Sequence, residues 1–260
     1  MGLLEGKVAI VSGIGPGMGR DISLTLAREG ADIAMLARSE EKMAEVAEEV
    51  RALGRRAITV RCDITDSADC ERAAATANAE LGRIDILVNN AFHQGDYKSL
   101  MEADLTTWKE TMDTNFIGTL QLTKAVVPSM KVLGEGRIIM INTQSSLWVK
   151  PNYGAYAGSK AALAFVTKTL ARELGQFGIR VNGIHPGFIW GDSVRGFLER
   201  QATARGVPFQ TVYDEVASET CLGYLPDSAE ISGSVLFLAS DLARPVTGQW
   251  FAVNCGQYLP

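Results

Sequence analysis

The stretch Ser12-Gly13-Ile14-Gly15-Pro16-Gly17-Met18-Gly19 follows a run of apolar residues and precedes a segment with helical periodicity. Glycines placed between a buried strand and a helix are typical of a loop that binds the phosphates of a dinucleotide. Gly13 would permit the sharp turn, Gly17 would let a pyrophosphate approach the main chain, and Gly19 would let the helix pack closely on the sheet. Pro16 has no N–H group, so the other amides and the helix N-terminus would hold the phosphates.

Strands and helices are predicted to alternate along the chain outward from this turn. Several of the predicted strands are continuously apolar, as expected for strands covered on both faces. The sequence therefore predicts an α/β, Rossmann-type, doubly wound fold with a seven-stranded parallel sheet and helices on both faces. The predicted strands are Lys7–Val11, Asp32–Ala37, Ala57–Arg61, Asp85–Val88, Arg137–Ile141, Arg180–Ile184 and Trp250–Val253. The predicted helices are Met18–Arg28, Glu40–Leu53, Ala68–Leu81, Leu105–Met130, Ala155–Leu174 and Ala229–Ser240.

Helix ends and domain boundaries follow from the residues between these segments. Ser39 and Ser67 stand where N-caps are expected, and helix ends are followed by glycines at positions 30, 54 and 82. Because no linker or repeat interrupts the alternation, residues 1–260 are predicted to form a single domain. Residues 188–224 lack clear periodicity and are predicted to form a lid over a substrate.

Composition and charge exclude several classes of protein. Of the 260 residues 47% are hydrophobic and 21% are charged, which is the composition of a folded globular chain. A net charge of −5 disfavours nucleic acid and anionic membranes as partners. No apolar run reaches the roughly 18 residues of a membrane span, and the N-terminal MGLLEGKVAI lacks the pattern of a signal peptide. Four scattered cysteines and two histidines predict reduced thiols, a cytoplasmic location and no metal site.

Five motifs, in order along the chain, resemble those of the short-chain dehydrogenase/reductase family. The spacing Ser-Gly-x-x-x-Gly-x-Gly is similar to the cofactor turn of that family, in which Thr is more common than Ser12. Asn89-Asn90-Ala91 follows the fourth predicted strand and Asn115 lies in a long predicted helix. Tyr156-Ala157-Gly158-Ser159-Lys160 gives the Tyr-x-x-x-Lys motif, and Pro186-Gly187 follows the sixth predicted strand.

Tyr156 and Lys160 are predicted to share one face of a helix, because they are four residues apart. A free tyrosine has a pKa of about 10, and a nearby ammonium would lower it. The resemblance implies that Tyr156 gives a proton to a carbonyl oxygen during reduction and takes it back during oxidation. It also implies that Lys160 holds the nicotinamide ribose and that Asn115 positions a water molecule in the path of the proton.

The fourth catalytic residue departs from the family pattern. The family usually has a serine thirteen residues before the tyrosine, and Thr143 occupies that position here. Its hydroxyl can still donate a hydrogen bond to a carbonyl. Ser145 could take the role if the loop were shifted, and we favour Thr143.

The end of the second predicted strand indicates which nicotinamide cofactor is used. Relatives that prefer NAD usually carry an acidic residue at the position of Ala37, where it would bind the ribose 2′-hydroxyl. Arg38 follows instead, and a guanidinium can pair with a 2′-phosphate. The sequence predicts that NADP(H) is preferred, with NAD(H) as the alternative. The predicted cofactor-binding residues are Ser12, Gly13, Gly15, Gly17, Met18, Gly19, Arg38, Asp63, Ile64, Asn89, Ala91, Tyr156, Lys160, Pro186, Gly187 and Ile189.

Aromatic residues are frequent in the loops that would cover the site, and Phe92 replaces the glycine that completes the family's Asn-Asn-Ala-Gly motif. An apolar wall suits a hydrophobic, cyclic or aromatic ketone or secondary alcohol. Some of these aromatics could instead form subunit contacts or the core of the lid. The predicted substrate-binding residues are Phe92, Ser145, Trp148, Tyr153 and Trp190.

The residues and the resemblance together predict an NADP(H)-dependent oxidoreductase that interconverts a ketone and a secondary alcohol of a small-molecule substrate without a metal. One alternative is a reductase of an activated C=C bond, and another is a non-catalytic dinucleotide-binding protein. The resemblance further implies a homo-oligomer, a dimer or a tetramer, in which Trp250–Val253 could form a contact.

Overall fold

Seven parallel strands form one sheet in the computed structural model, which describes residues 2–259. The order across the sheet is β3-β2-β1-β4-β5-β6-β7. This order confirms the predicted doubly wound fold, since the chain builds outward from β1 to β3 and then returns to place β4 beside β1. The strands are β1 (Val8–Ser12), β2 (Asp32–Ala37), β3 (Ala57–Arg61), β4 (Ile86–Asn89), β5 (Gly136–Ile141), β6 (Ile179–Pro186) and β7 (Trp250–Val253).

Helices cover both faces of the sheet. On one face α1, α2 and α9 contribute to a core that includes Ile22, Met43 and Val235, and on the other α3, α5 and α6 contribute residues such as Leu122 and Leu163. None of the helices within residues 2–259 combines the length and the apolar character that a membrane crossing requires. The helices are α1 (Met18–Arg28), α2 (Glu40–Ala52), α3 (Ser67–Leu81), α4 (Leu105–Met112), α5 (Thr119–Leu133), α6 (Gly154–Leu174), α7 (Asp192–Arg205), α8 (Phe209–Ser218) and α9 (Ser228–Ala239).

The helix ends agree with the predictions at most positions. Ser39 is the N-cap residue of α2, although its side chain makes no capping hydrogen bond. The predicted cap at Ser67 is wrong, because Asp66 caps α3 with its carboxylate and Ser67 is the first helical residue. The carboxylate of Asp66 accepts hydrogen bonds from two main-chain N–H groups, which the hydroxyl of Ser67 is not placed to do. The three predicted C-terminal glycines, at positions 30, 54 and 82, all have positive φ.

The long helix predicted over Leu105–Met130 is interrupted. Between α4 and α5 the chain forms one π-helical segment, Asp113–Gly118, and α5 continues to Leu133. Asn115 lies inside this segment. π-Helical turns within α-helices occur often at functional sites because they redirect side chains.

The part of the chain predicted to lack periodicity is partly helical, since residues 188–224 contain α7 and α8. The apolar residues of α8 repeat at helical spacing from Phe209 to Val216, a signal that the sequence does carry. In α7 the only fully buried positions are Leu198 and Ala202, which is too weak a pattern to predict a helix. The two helices share a small core of their own, separate from the cores on the sheet.

Candidate active site

Two adjoining cavities lie where the order of the strands reverses, beyond the carboxyl ends of β1 and β4. The smaller cavity has a volume of about 310 Å³ and the larger one about 520 Å³. Both are lined by Gly13, Gly15, Asn90 and Phe92, so they form one continuous space. Ligands of doubly wound sheets bind at this place in the topology.

The glycine-rich turn forms the floor of this space and leaves its main chain open to a ligand. Gly13 has a φ of 77°, and a Cβ atom there would lie 2.5 Å from the Cα of Ala91. A side chain at Gly19 would collide with the main-chain oxygen of Gly13. Gly15 and Gly17 face open space within the cavity. The turn ends at α1. Its N-cap residue is Gly17, which has no side chain to cap the helix, so the first N–H groups of α1 are available to an anion.

Two of the predicted cofactor residues do not line either cavity. The hydroxyl of Ser12 donates to Val88 O at 3.3 Å and accepts from Asn90 N at 3.1 Å, so it fixes β1 against β4. The side chain of Asn89 points away from the cavity, and its Nδ2 donates to Thr123 Oγ1 at 3.1 Å. Asn90 lines both cavities in its place, and its Nδ2 donates to Gly13 O at 2.8 Å. The neighbouring asparagines therefore face in opposite directions, which their sequence could not specify.

The other predicted cofactor residues all line the space. Gly13, Gly15, Arg38, Asp63, Ile64 and Ala91 line the smaller cavity. The larger cavity is lined by Gly13, Gly15, Gly17, Met18, Gly19, Tyr156, Lys160, Pro186, Gly187 and Ile189.

Arg38 lines the smaller cavity together with Ser39 and Lys42, two residues that the sequence did not predict as part of the site. Lys42 lies in the first turn of α2, whereas Arg38 precedes that helix, so helical spacing does not link the two residues and only the fold shows that they share the cavity. Asp63 faces the same cavity. Partial burial acts to raise the pKa of Asp63, but hydrogen bonds from Thr65 and the charge of Arg38 outweigh it and hold that pKa below its usual value. This end of the cavity thus offers two cations, a hydroxyl and one ionised carboxylate.

At the other end, Lys160 is buried with 2% of its surface exposed. Its Nζ donates a hydrogen bond to Ile141 O at 2.8 Å. Burial lowers the pKa of Lys160 to about 7. The ammonium is thus close to losing its proton at neutral pH, since no carboxylate offsets the cost of burial.

Tyr156 lines the same cavity and is partly buried. Burial raises the pKa of Tyr156 well above its usual value, while a hydrogen bond with Thr143 acts in the opposite direction. The lowering of this pKa by Lys160, expected from the sequence, is not found in this structure. The reason is that both side chains are desolvated and the lysine hydrogen-bonds to Ile141 instead.

The structure places Thr143, rather than Ser145, in contact with the phenol. Thr143 lines the larger cavity and its hydroxyl also accepts a hydrogen bond from Ser145 N at 3.2 Å. The main-chain oxygen of Thr143 accepts from Ser146 Oγ at 2.8 Å and lies 2.9 Å from Nδ1 of His185. Because a carbonyl oxygen only accepts, this histidine nitrogen carries the proton. Burial lowers the pKa of His185, although its bond to Thr143 acts to raise it, so His185 holds the loop as a neutral residue at pH 7.

Asn115 is fully buried and its amide is occupied by protein groups. Its Oδ1 accepts from His93 N at 2.6 Å and its Nδ2 donates to His93 O at 2.9 Å. The same nitrogen donates to Ser159 Oγ at 3.0 Å, next to Lys160 in the chain. Asn115 therefore ties the loop after β4 to α6. The family resemblance implied that Asn115 positions a water molecule and did not predict this structural link.

Only some of the aromatic residues predicted to bind the substrate lie at the catalytic end of the cavity. Phe92 is 58% exposed, and its ring centroid lies 6.3 Å from that of Tyr156. Trp190 lines the larger cavity and its ring packs against Tyr213 of α8. Ser145, Trp148 and Tyr153 do not line either of the two cavities. Trp148 stacks on Tyr258, and Tyr153 packs on Tyr97.

The larger cavity is also lined by residues that the sequence reading did not select. They include Asn142 beside Thr143, Asp192 and Ser193 at the start of α7, and Ser228 at the start of α9. Ser228 lies more than 200 residues from the glycine-rich turn, and only the tertiary fold brings it there. Within residues 2–259 no cluster of three or more His, Cys, Asp or Glu side chains could hold a metal ion.

Comparisons with known proteins agree with this geometry. A family model described as enoyl-(acyl carrier protein) reductase matches residues 13–257. The chain is 36% identical to oxidoreductase UcpA of Salmonella typhimurium over 263 aligned positions, covering 100% of this chain and 97% of that protein. It is 34% identical to the 3-oxoacyl-[acyl-carrier-protein] reductase FabG of Escherichia coli, covering 98% of both proteins. The structure of carveol dehydrogenase from Mycobacterium avium in complex with NAD superimposes with a TM-score of 0.93, at 30% identity and with 99% of both chains covered.

Proposed function

The chain belongs to the short-chain dehydrogenase/reductase family, and as such is an oxidoreductase of CH–OH and C=O groups that uses a nicotinamide dinucleotide; we propose that it prefers NADP(H) and interconverts a hydrophobic ketone and a secondary alcohol. The observation that carries the proposal is that Tyr156, Thr143 and Lys160 line one end of a cavity whose other end is the glycine-rich turn.

The residues that line the space fit a dinucleotide. The absence of side chains at Gly15 and Gly17 leaves room for phosphates beside the N-terminus of α1. Lys160 and the segment Pro186–Ile189 would hold the nicotinamide end, and Asp63 the adenosine end. When bound, the nicotinamide supplies or accepts the hydride.

The protein's own groups handle the proton and orient the substrate. With its pKa raised by burial, Tyr156 is protonated at neutral pH and can donate its proton to a ketone oxygen during reduction. Thr143 can donate a second hydrogen bond to the same oxygen. During oxidation Tyr156 must first lose its proton. Lys160 lies one turn further along the same helix and, with a pKa of about 7, can exchange a proton near neutral pH.

The preference for NADP(H) is supported by the residues around the smaller cavity. Ala37 provides no carboxylate to bind a ribose 2′-hydroxyl or to repel a 2′-phosphate. Arg38, Ser39 and Lys42 offer two positive charges and a hydroxyl at that end. A phosphate dianion would gain charge-assisted hydrogen bonds there that a hydroxyl could not.

The substrate class is inferred from the apolar groups near Tyr156. Phe92 and Trp190 present large rings to the catalytic end of the cavity. Rings of this size favour a hydrophobic, cyclic or aromatic substrate. The solved relative named carveol dehydrogenase agrees with such a substrate.

The decisive experiment compares the wild type with Tyr156→Phe. Wild-type protein should oxidise NADPH in the presence of members of a panel of cyclic and aromatic ketones. Tyr156→Phe keeps the ring but removes the proton, so turnover should fall by at least about 100-fold. NADPH binding, followed by quenching of tryptophan fluorescence, should change less than about threefold. Full turnover by the variant would refute the mechanism, and cofactor binding without any wild-type turnover would favour a non-catalytic role.

A reductase of activated C=C bonds is the second candidate, since the matching family model is described as an enoyl reductase. The two reactions differ in the carbon that receives the hydride. With NADPH deuterated at the transferred position and an α,β-unsaturated ketone as substrate, carbonyl reduction places deuterium on the carbinol carbon. Alkene reduction places it on the β-carbon, and that result would overturn the leading proposal.

We also propose a homo-oligomer, a dimer or a tetramer, located in the cytoplasm. β7 is an edge strand with partly exposed side chains, and Phe165 of α6 is 76% exposed. The indole of Trp250 is directed inward, where its Nε1 donates to Ala164 O at 3.0 Å. The four cysteines are free thiols, as in a reducing compartment. Light scattering coupled to size-exclusion chromatography would give the number of subunits.

A further inference from the structure

Phe92 lies where the two cavities of the site join. Four residues line both cavities, and Phe92 is the one among them with a large apolar side chain; the others are Gly13, Gly15 and Asn90. The ring is 58% exposed, so most of its surface is open to a ligand. Because the family's motif has glycine at this position, the ring is a feature of this chain.

The main chain at Phe92 is held by hydrogen bonds on both sides. Before it, Asn90 Nδ2 donates to Gly13 O at 2.8 Å, which joins this stretch to the glycine-rich turn. After it, His93 N donates to Asn115 Oδ1 at 2.6 Å, which joins it to the π-helical segment. The ring therefore extends into the cavities from a stretch of chain that is fixed at both ends.

The ring of Phe92 contacts the catalytic tyrosine but not the interior of the protein. Its centroid lies 6.3 Å from that of Tyr156, edge to face, with an interplanar angle of 64°. Phe92 belongs to none of the three apolar cores found within residues 2–259. A single edge-to-face contact covers only part of a ring, so the rest of it remains available to a ligand in the cavities.

A dinucleotide that reaches from Arg38 to Tyr156 must pass the junction of the two cavities, and therefore the ring of Phe92. We propose that Phe92 is a cofactor-binding residue whose ring covers part of the dinucleotide between its two ends and slows its release. The ribose C–H groups and the nicotinamide ring are the parts of the cofactor that an aromatic ring can cover. This role is additional to the wall that Phe92 forms for a substrate, and it depends on the dinucleotide site alone.

The test measures the binding of NADPH and of NADH to the full-length protein in the absence of substrate, by quenching of tryptophan fluorescence. Covering roughly 50 Å² of the ring corresponds to about a tenfold gain in affinity, so Phe92→Ala should raise Kd about tenfold. The increase should be equal for the two dinucleotides, because the contact does not involve the 2′-phosphate. It should appear mainly as faster dissociation in stopped-flow displacement. Phe92→Leu keeps an apolar side chain and should bind both dinucleotides within about threefold of the wild type.

Phe165→Ala is the matched control, because Phe165 is 76% exposed and lines neither of the two cavities. This variant should bind both dinucleotides as the wild type does. Wild-type binding by Phe92→Ala, even with a higher KM for ketones, would show that the ring serves the substrate only and would overturn the inference. A loss confined to NADPH would also contradict it. If the wild type binds the dinucleotides but reduces no ketone, the proposed function fails, and the binding data still decide this inference.

Discussion

The ammonium of Lys160 and the main-chain oxygen of Ile141 lie 2.8 Å apart, which links the catalytic helix to the end of β5. Within residues 2–259, Ile141 O is the only polar partner of the Lys160 side chain, although Lys160 is only 2% exposed. A single neutral acceptor does not repay the loss of water around a charge. The consequence is a lysine whose pKa is lowered to about 7, beside a tyrosine whose pKa is raised.

The buried lysine predicts how stability depends on pH. The pKa of Lys160 is about 7 in the folded chain and 10.5 for an ordinary lysine, so between these values the unfolded chain binds one more proton. The free energy of unfolding contributed by this residue therefore rises as the pH rises through that window, by up to about 1.4 kcal/mol per pH unit. Relative to Lys160→Met, the wild type should gain roughly 2 kcal/mol between about pH 7.5 and about pH 9.5, measured by urea unfolding.

Lys168→Met is the control for this measurement, because Lys168 lies on the same helix and is exposed. Its stability should follow that of the wild type at both pH values. Parallel curves for the wild type and Lys160→Met would show that Lys160 keeps an ordinary pKa in the folded protein.

A separate prediction concerns which hydroxyl assists Tyr156. Thr143→Ala should lower kcat/KM for a ketone by about 100-fold, since a donor aimed at the reacting oxygen is lost. Thr143→Ser should keep most of the activity, because the hydroxyl and its bond from Ser145 N remain available. Ser145→Ala should stay within about threefold of the wild type. A larger loss in Ser145→Ala than in Thr143→Ala would reverse the assignment.

The sequence was sufficient for the architecture because the signals for it are local. The apolar runs of β1 and β5 and the glycines of the turn each act within a few residues. The alternation of strands with helices then leaves few permitted topologies. The π-helical segment around Asn115 could not be predicted in this way. Its Asn115 amide is held by His93 and Ser159, which are distant in the sequence.

The candidate site was predictable where a motif alone determines the position of a residue. Tyr156 and Lys160 share a face because a helix requires it. The directions of Asn89 and Asn90 depended on whether Thr123 or Gly13 lay within reach, and sequence separation hides both contacts. The direction of the Tyr156 pKa shift also differs from the expected one, since burial depends on every element packed around the side chain.

The cofactor preference can be tested at Arg38. Removing the guanidinium should weaken binding of a 2′-phosphate and leave binding of a 2′-hydroxyl almost unchanged. The ratio of kcat/KM with NADPH to that with NADH should therefore fall by about 10- to 100-fold in Arg38→Ala. Arg244→Ala is the control, because Arg244 is exposed and lines neither cofactor cavity, and it should leave the ratio unchanged. An unchanged ratio in Arg38→Ala would contradict the preference for NADP(H).

The last prediction concerns the amide of Asn115. In Asn115→Ala the N–H and C=O groups of His93 lose their partners in a partly buried place, so the free energy of unfolding should fall by about 2 to 4 kcal/mol. Asn78→Ala removes an amide that bonds to Ser129 at a half-buried position and should cost about 1 kcal/mol. Urea unfolding measures both variants. In the folded fraction of Asn115→Ala, kcat for a ketone should also fall, because Phe92 and the start of α6 are no longer held together. A variant as stable and as active as Asn78→Ala would show that Asn115 does not tie the loop to the catalytic helix.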